Sequence, residues 1–168
     1  MTMSMYDVSI PVFTRGLTNL GAILDKAAAH AGAKKFDPAV LAQARLFPDM
    51  FPLARQVQIT CDTAKGAAAR LAGIEIPKHE DNEVSLEELK QRIAKTLDFV
   101  GSVKPAQLQG AESRAIEIKF PNRTQTFTGL SYLIDFALPN FFFHESMTYA
   151  LLRTNGVEVG KMDFLGSM

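Results

Sequence analysis

The chain has 168 residues, of which 47% are hydrophobic, so it is long enough for one domain with a substantial core. Its 18 basic residues balance 18 acidic ones, which argues against binding to nucleic acid or to an anionic membrane. No apolar run reaches the roughly 20 residues that span a bilayer, and the single Cys61 fits a reducing compartment. We expect one domain over residues 1–168 in a soluble cytoplasmic protein.

A stripe of apolar residues three and four apart predicts a first long helix that packs against a neighbouring helix. The stripe consists of Ile10, Phe13, Leu17, Leu20, Leu24, Ala27 and Ala31. Pro11 suits the first turn, where a missing amide hydrogen costs least. Gly32 is expected to end the helix in a left-handed conformation.

Two further helices are predicted before residue 75. Asp37 and Pro38 open a short helix that runs as far as Pro48, with Asp37 as its cap. Asp49 is expected to cap a second long helix that ends at Gly73. The inner stripe of this helix is rich in small residues, namely Met50, Ala54, Val57, Cys61, Ala64, Ala68 and Leu71.

The rest of the chain predicts a third long helix, a hairpin and a last helix. Ser85 and Glu88 form a capping box before an apolar stripe. Alternating apolar residues in AIEIKF, followed by the turn residues PN, predict a β-hairpin. The last helix runs from about Leu130 to Thr154. These elements predict an all-α fold, a four-helix bundle with a small β-hairpin between helices three and four.

His144 is the most informative polar residue, because it lies within the apolar stripe of the last helix. That stripe is Leu130, Ile134, Ala137, Phe141, His144, Thr148 and Leu151. Asn140 and Thr148 lie one turn to either side of His144 and share its edge. On helix two, Gln58 or Asp62 could turn inward to meet it, and Asp49 lies at the bundle mouth. The alternative is a structural one, a neutral core histidine beside a polar row that faces water.

The segments of this chain resemble a known superfamily. The ending HESMTYALLRTNGVEVGKMDFLG, with four helices of these lengths, is similar to DinB/YfiT-like four-helix proteins. YDVSIPVFTRGLTNLGAILDKAAAH, FPDMFPLARQVQITCDTAKGAAARLAG and FALPNFFFHESMTYALLRTNGVEVGK look like one uncharacterised domain-of-unknown-function family near it. Members of the superfamily are described as candidate metalloenzymes, and some transferases and isomerases that depend on thiols share the scaffold.

The resemblance also implies a site. Typical members hold a divalent metal with one histidine on helix two and two histidines, four residues apart, on the last helix. Aligned on Leu152 and Arg153, the second of these matches His144, the first matches Asn140, and Gln58 is the best match on helix two. Asn and Gln are weak ligands for zinc or nickel, so the metal set resembles a degraded one. His144 would be a metal ligand only if the site is occupied.

Two functions follow. The favoured one is a non-enzymatic or unassigned bundle protein without the metal set, which either binds a small ligand in an inter-helix cleft or acts through a partner surface. The candidate ligand-binding residues are Gln58, Asp62, Asn140, Thr148 and Asp49. The alternative is a divergent transferase or hydrolase, dependent on a metal or a thiol, in which His144 is the catalytic base or ligand. The apolar tail and the many phenylalanines also suggest a homodimer. The cofactor, if there is one, is not identified by the sequence.

Overall fold

The computed structural model describes residues 3–166 and is mostly helical, with one small antiparallel hairpin. The long helices are α1 (Ile10–Lys34), α3 (Leu53–Ala72), α4 (Leu86–Ser102) and α6 (Leu138–Thr154). The short helices are α2 (Ala39–Gln43), α5 (Gly129–Ser131) and α7 (Lys161–Leu165). The strands are β1 (Ala115–Phe120) and β2 (Arg123–Thr128), and a π-helical segment, Tyr132–Ala137, joins α5 to α6.

The long helices enclose one core. α3 packs against α4 and α6, and α1 packs against the same two helices. The apolar stripe of α1 is buried along its whole length. The Ala-rich stripe of α3 is buried as well, from Ala54 to Leu71, so its small side chains lie where neighbouring helices approach. Within residues 3–166, no helix is long and apolar enough to cross a membrane. The cytoplasmic location stays a prediction.

The start of α1 agrees with the sequence, but its end does not. Pro11 lies in the first turn of the helix, as expected. The prediction that Gly32 ends the helix is wrong, because α1 continues to Lys34 and the left-handed residue is Lys35, at φ 59°. The Lys35 amide still closes the helix on the carbonyl of Gly32. A Cβ on Gly32 would meet nothing within 4 Å, so neither sterics nor backbone conformation requires glycine there.

Gly32→Ala is therefore expected to raise the free energy of unfolding by about 0.5–1 kcal/mol, as alanine does inside a helix. Gly73→Ala provides the matched contrast, because Gly73 has φ 68° and a Cβ there would lie 2.7 Å from Arg114. That variant should lose about 1 kcal/mol or more. Urea denaturation of both variants measures the difference. A loss of stability in Gly32→Ala would place the end of α1 at residue 32 after all.

The second long helix begins later than the sequence suggests. α2 begins at Ala39 with Pro38, and not Asp37, at its N-cap position, and it stops at Gln43. Asp37 lies one residue earlier, and its Oδ1 accepts a hydrogen bond from the Ala39 amide at 2.9 Å. Asp49 does not cap α3, which begins at Leu53 directly after Pro52. The reason is steric, because a residue that precedes proline is disfavoured in the helical conformation. Phe51 therefore cannot join the helix, and Met50 falls outside it.

The capping box and the hairpin are confirmed. The Ser85 hydroxyl accepts from the Glu88 amide at 3.2 Å, and the Glu88 carboxylate accepts from the Ser85 amide at 2.9 Å. β1 pairs with β2 in register from Ala115 opposite Thr128 to Phe120 opposite Arg123, with the predicted turn between them. Both features depend on contacts between residues close in the chain, which sequence patterns describe well.

The last helix follows its predicted stripe only from Ala137 onward. Leu130 and Ile134 were expected inside, but they are 45% and 53% exposed, while Tyr132 and Leu133 are buried. The π-helical segment explains the change, because its wider turn shifts the helix face that points inward. Pro139 follows this segment and lacks an amide hydrogen, so the regular i→i−4 pattern is already broken there.

The C-terminal segment packs on its own chain. α7 lies against α1, with Lys26 Nζ 2.7 Å from Asp163 Oδ1. Asn19 Nδ2 donates a hydrogen bond to the Phe164 carbonyl at 2.9 Å. The apolar tail, which suggested a homodimer in the sequence, therefore covers α1 of its own chain. The homodimer stays a prediction.

Candidate functional site

His144 lies between α3 and α6, with 8% of its surface exposed. Its Nδ1 is 2.7 Å from Gln56 Oε1. Because an amide oxygen only accepts, Nδ1 carries the proton and Nε2 is left with a free lone pair. Nε2 has no hydrogen-bond partner among residues 3–166 and is not one of the fully buried unpartnered atoms there. His144 therefore faces the interior, as expected, with one nitrogen fixed and the other open.

The electrostatic setting keeps this imidazole neutral. Burial lowers the pKa of His144 below its usual 6.5, and the positive charge of Arg55 lowers it further. At pH 7 the ring is therefore an uncharged hydrogen-bond donor and acceptor. This protonation state suits a core histidine, and it also suits a base or a metal ligand.

Gln58 was a candidate to turn inward and meet His144, but the residue that contacts His144 is Gln56. Gln58 Nε2 instead donates to Glu83 Oε2 at 3.0 Å, on the side of α3 that faces α4. Residues two apart on a helix point in widely different directions, so Gln56 and Gln58 cannot both face α6. Gln56 is only 2% exposed, whereas the sequence analysis had not singled it out.

Asp62 lies on the same side of α3 as Gln58 and does not turn toward His144. Its Oδ1 is 2.8 Å from Arg92 Nη2 on α4 and 2.9 Å from Lys65 Nζ. Arg92 also binds Glu83 and Asp81, in the loop that precedes α4. The expected meeting of Asp62 with His144 is therefore wrong, because a buried guanidinium on the opposite side holds the carboxylate.

The other candidate residues are divided among separate contacts. Asn140 Nδ2 donates to Thr63 Oγ1 at 2.7 Å, which links α6 to α3 one turn away from His144. Thr148 is fully buried, and its hydroxyl donates to the backbone carbonyl of His144 at 3.1 Å. Asp49 is exposed in the loop before α3. The structure thus brings His144, Asn140 and Thr148 to one seam, and leaves Gln58, Asp62 and Asp49 outside it.

The residues of this seam do not fit the metal that the superfamily resemblance implies. Across residues 3–166, no group of three His, Cys, Asp or Glu side chains is placed to hold a metal ion. The donors near His144 are the amide of Gln56 and, one turn along, the amide of Asn140 with the hydroxyl of Thr63. One imidazole with neutral oxygens is a poor set for zinc or nickel. Burial also raises the pKa of the Cys61 thiol, which lies on α3 near Thr96 and Arg92 of α4, to about 12, so it is not a ready thiolate.

Glu145 is a chemically unusual residue that the sequence analysis missed. It follows His144 in the chain but points toward α1, where it is 1% exposed. Neither carboxylate oxygen has a hydrogen-bond partner among the described residues. Burial raises the pKa of Glu145 to about 7, although the charge of Arg15 acts in the opposite direction. A signal was present, because Phe141, Glu145, Thr148 and Leu152 follow helical spacing that places a glutamate on a buried face.

Glu145 lines a cavity of about 280 Å³ between α1, α6 and α7, which we call the Glu145 pocket. Its lining residues are Val12, Arg15, Gly16, Asn19, Phe142, Glu145, Phe164 and Leu165. Gly16 allows the two long helices to approach closely here. A Cβ on Gly16 would lie 2.6 Å from Phe141 Cε1 and 3.2 Å from Glu145 Oε2. A side chain at position 16 would therefore displace α6 or fill this end of the pocket.

Comparison with known proteins places the chain in a family. A family model described as Domain of unknown function (DUF1993) matches residues 5–165. The fold is similar to the crystal structure, at 1.83 Å, of a DinB family member protein from Shewanella denitrificans, with 46% identity and a TM-score of 0.91. That match covers 98% of this chain and 93% of the other. No match is found among curated proteins. Because the family model matches nearly the whole chain and the similar crystal structure covers 98% of it, the chain belongs to the DUF1993 family of domains of unknown function.

Proposed function

We propose that residues 1–168 form a single DinB-type four-helix bundle, built from α1, α3, α4 and α6, that works without the three-histidine metal site. Its function is to bind a small ligand in an inter-helix cleft. The observation that supports this proposal is the kind of side chain near His144. The side-chain amides of Gln56 and Asn140 lie where a three-histidine site would have its other imidazoles. The similarity to a DinB family member supports the bundle.

The contacts of the seam support a structural role for its polar residues. Gln56 accepts from His144 and also donates to the Phe51 carbonyl at 3.2 Å, so its amide is used at both ends. Asn140 Nδ2 donates to the Thr63 hydroxyl oxygen. Buried polar groups that pair in this way stabilise one packing of the two helices. The oxygen atoms that are already hydrogen-bonded have fewer lone pairs left to coordinate a metal.

The ligand cleft is the Glu145 pocket and not the seam. His144, Asn140 and Gln58 line neither the Glu145 pocket nor four more open cavities of about 400 to 610 Å³ elsewhere on residues 3–166. The Glu145 pocket has apolar walls, from Val12, Phe142 and Phe164, and a small number of polar groups. This combination is typical of small-molecule sites, which hold a ligand by apolar contact and orient it by a few polar atoms.

Metal analysis tests this proposal directly. Protein purified without a polyhistidine tag, then assayed by inductively coupled plasma mass spectrometry, is expected to contain far less than one zinc or nickel per chain. The same low zinc or nickel content is expected after the protein has been incubated with excess metal and then desalted. His144→Ala is the control, because it removes the imidazole. A stoichiometric metal in the wild type that is lost in His144→Ala would contradict the proposal.

One observation favours the alternative, a divergent DinB-like enzyme that uses His144 as a base or ligand. Nε2 of the neutral ring is unprotonated and has no partner among the described residues. A base needs such a lone pair. In this alternative His144 is retained for chemistry, so replacing it should cost little stability, as is common for functional residues.

Stability measurement separates the two roles of His144. If the imidazole serves the core, His144→Ala should lower the free energy of unfolding by about 1–3 kcal/mol, because Gln56 Oε1 then lies buried without a donor. A double-mutant cycle with Gln56→Ala should give a coupling of about 1 kcal/mol. Urea denaturation of the four proteins measures both values. No loss of stability in His144→Ala would favour the enzyme.

A further inference from the structure

The buried carboxylate of Glu145 lacks the hydrogen-bond donor or cation that such a group normally pairs with. Both of its oxygens are buried and unpartnered, and the side chain lines a cavity large enough for a small molecule. A buried carboxylate without a partner is costly, so such groups are normally paired with a cation or hydrogen-bonded. Within the part of the chain that the structure describes, no side chain or backbone group supplies that partner to Glu145.

We propose that the Glu145 pocket binds a small organic cation, an amine carried on an apolar or aromatic body, with the Glu145 carboxylate as its anchor. This inference rests on the proposed function, since it names the class of ligand for that cleft. The ammonium group forms a charge-assisted hydrogen bond to the carboxylate, and such bonds are stronger than neutral ones. The body of the ligand lies against the apolar walls.

The walls fit a cation better than they fit a neutral polar molecule. Phe142 from α6 and Phe164 from α7 both line the pocket. A ring face attracts a positive charge, and the attraction grows where water is excluded. Asn19 is held to the Phe164 carbonyl, so its amide fixes the α7 wall in place. The volume of about 280 Å³ admits a ligand of the size of benzylamine.

The charged groups near the pocket have defined positions. Arg15 of α1 is an exposed residue that lines the mouth of the pocket, and its charge acts on Glu145 without an ion pair between the two side chains. On α7, Asp163 is paired with Lys26 of α1 and does not line the pocket. On α6, the neighbouring His144 faces α3 and is bonded to Gln56. Glu145 is therefore the carboxylate that a cation in this pocket meets.

The same arrangement makes binding depend on pH. Only the ionised carboxylate pairs with a cation, and the pKa of Glu145 lies at about 7 in the free protein because of burial. As the pH falls below that value, the protonated form predominates and the ligand must displace a proton. Affinity for a cation is therefore expected to fall about tenfold between pH 8 and pH 6. Binding at pH 6 should release a proton.

Isothermal titration calorimetry on the full-length protein tests the proposal with benzylammonium chloride as the probe. Benzyl alcohol is the neutral control of matched shape. At pH 8 the wild type should bind benzylammonium at least tenfold more tightly than benzyl alcohol. Glu145→Gln, a substitution of nearly the same shape, should abolish this preference and the pH dependence. Phe164→Ala should weaken both probes but retain the pH dependence.

Arg15→Gln is the third variant to be tested. It removes a positive charge at the mouth of the pocket that competes with the ligand cation for Glu145. It should bind benzylammonium at pH 8 at least as tightly as the wild type. Binding that appears only in Arg15→Gln would show that Arg15 itself occupies the carboxylate, and would overturn the proposal. Equal affinity for the two probes, or no change in Glu145→Gln, would overturn it as well. Tight binding of benzyl alcohol alone would leave the proposed ligand-binding function in place, and metal analysis tests that function separately.

Discussion

Glu145→Gln is expected to raise the free energy of unfolding by about 3 kcal/mol at pH 8 and to leave it nearly unchanged at pH 4. The pKa of Glu145 rises from its ordinary 4.5 to about 7 on folding, because the carboxyl group is buried. One pKa unit corresponds to 1.36 kcal/mol, which gives the expected size. The native state binds the proton more tightly than the unfolded chain does, so the wild type loses stability as the pH rises from 4.5 to 7.

The measurement is urea denaturation of wild type and variant between pH 4 and pH 8. The difference between the two should grow through the window from 4.5 to 7 and then stay constant, since above pH 7 the carboxyl group is ionised in both states. Glu117→Gln is the matched control, because Glu117 is exposed on β1 and should show no such trend. A Glu145→Gln protein that is less stable than the wild type at pH 8 would mean that the carboxylate has a partner within the chain.

This result would also bear on function. Binding and catalytic residues often lower the stability of the free protein. A ligand cation would recover the lost stability by pairing with the carboxylate. Saturating benzylammonium should therefore raise the melting temperature of the wild type more than that of Glu145→Gln.

Arg92→Ala is expected to lower the free energy of unfolding by about 3–5 kcal/mol, the usual cost of removing one partner from a buried ion pair. The Arg92 side chain is 1% exposed, and its guanidinium lies 2.8 Å from Asp62, 2.9 Å from Asp81 and 2.9 Å from Glu83. It also donates to the Glu80 carbonyl at 3.0 Å. Without it, the nearly buried Glu83 keeps only Gln58 as a partner among residues 3–166.

Arg92 also holds the connection between α3 and α4, since its partners Glu80, Asp81 and Glu83 all lie there. Hydrogen exchange of this connection should accelerate in Arg92→Ala beyond what the global loss of stability explains. Lys78→Ala is the control, because Lys78 and Glu80 form an exposed pair that should contribute less than about 1 kcal/mol. A loss of under 1 kcal/mol in Arg92→Ala would show that its carboxylate partners are solvated in solution.

Some functional expectations depended on a helix orientation that the sequence does not specify. Gln58 looked compatible with an inward position, because a polar residue beside an apolar stripe can lie on either side of it, and Gln56 was not considered. The rotation of α3 is decided by its contacts with α4 and α6 together. Arg92 of α4 holds Asp62 and Glu83, and Glu83 holds Gln58, so Gln56 is left to face His144.

Patterns along the chain were sufficient for the long helices, the capping box of α4, the hairpin, the inward position of His144 and the family. These features depend on helical or strand periodicity and on hydrogen bonds between residues close in sequence. Only the tertiary structure decided the partner of His144, the shift of the inward face in the π-helical segment and the lack of a partner for the Glu145 carboxylate among residues 3–166. Each of these depends on which other helix approaches, and at Gly16 that approach turns an ordinary glutamate into a buried carboxylate without a partner.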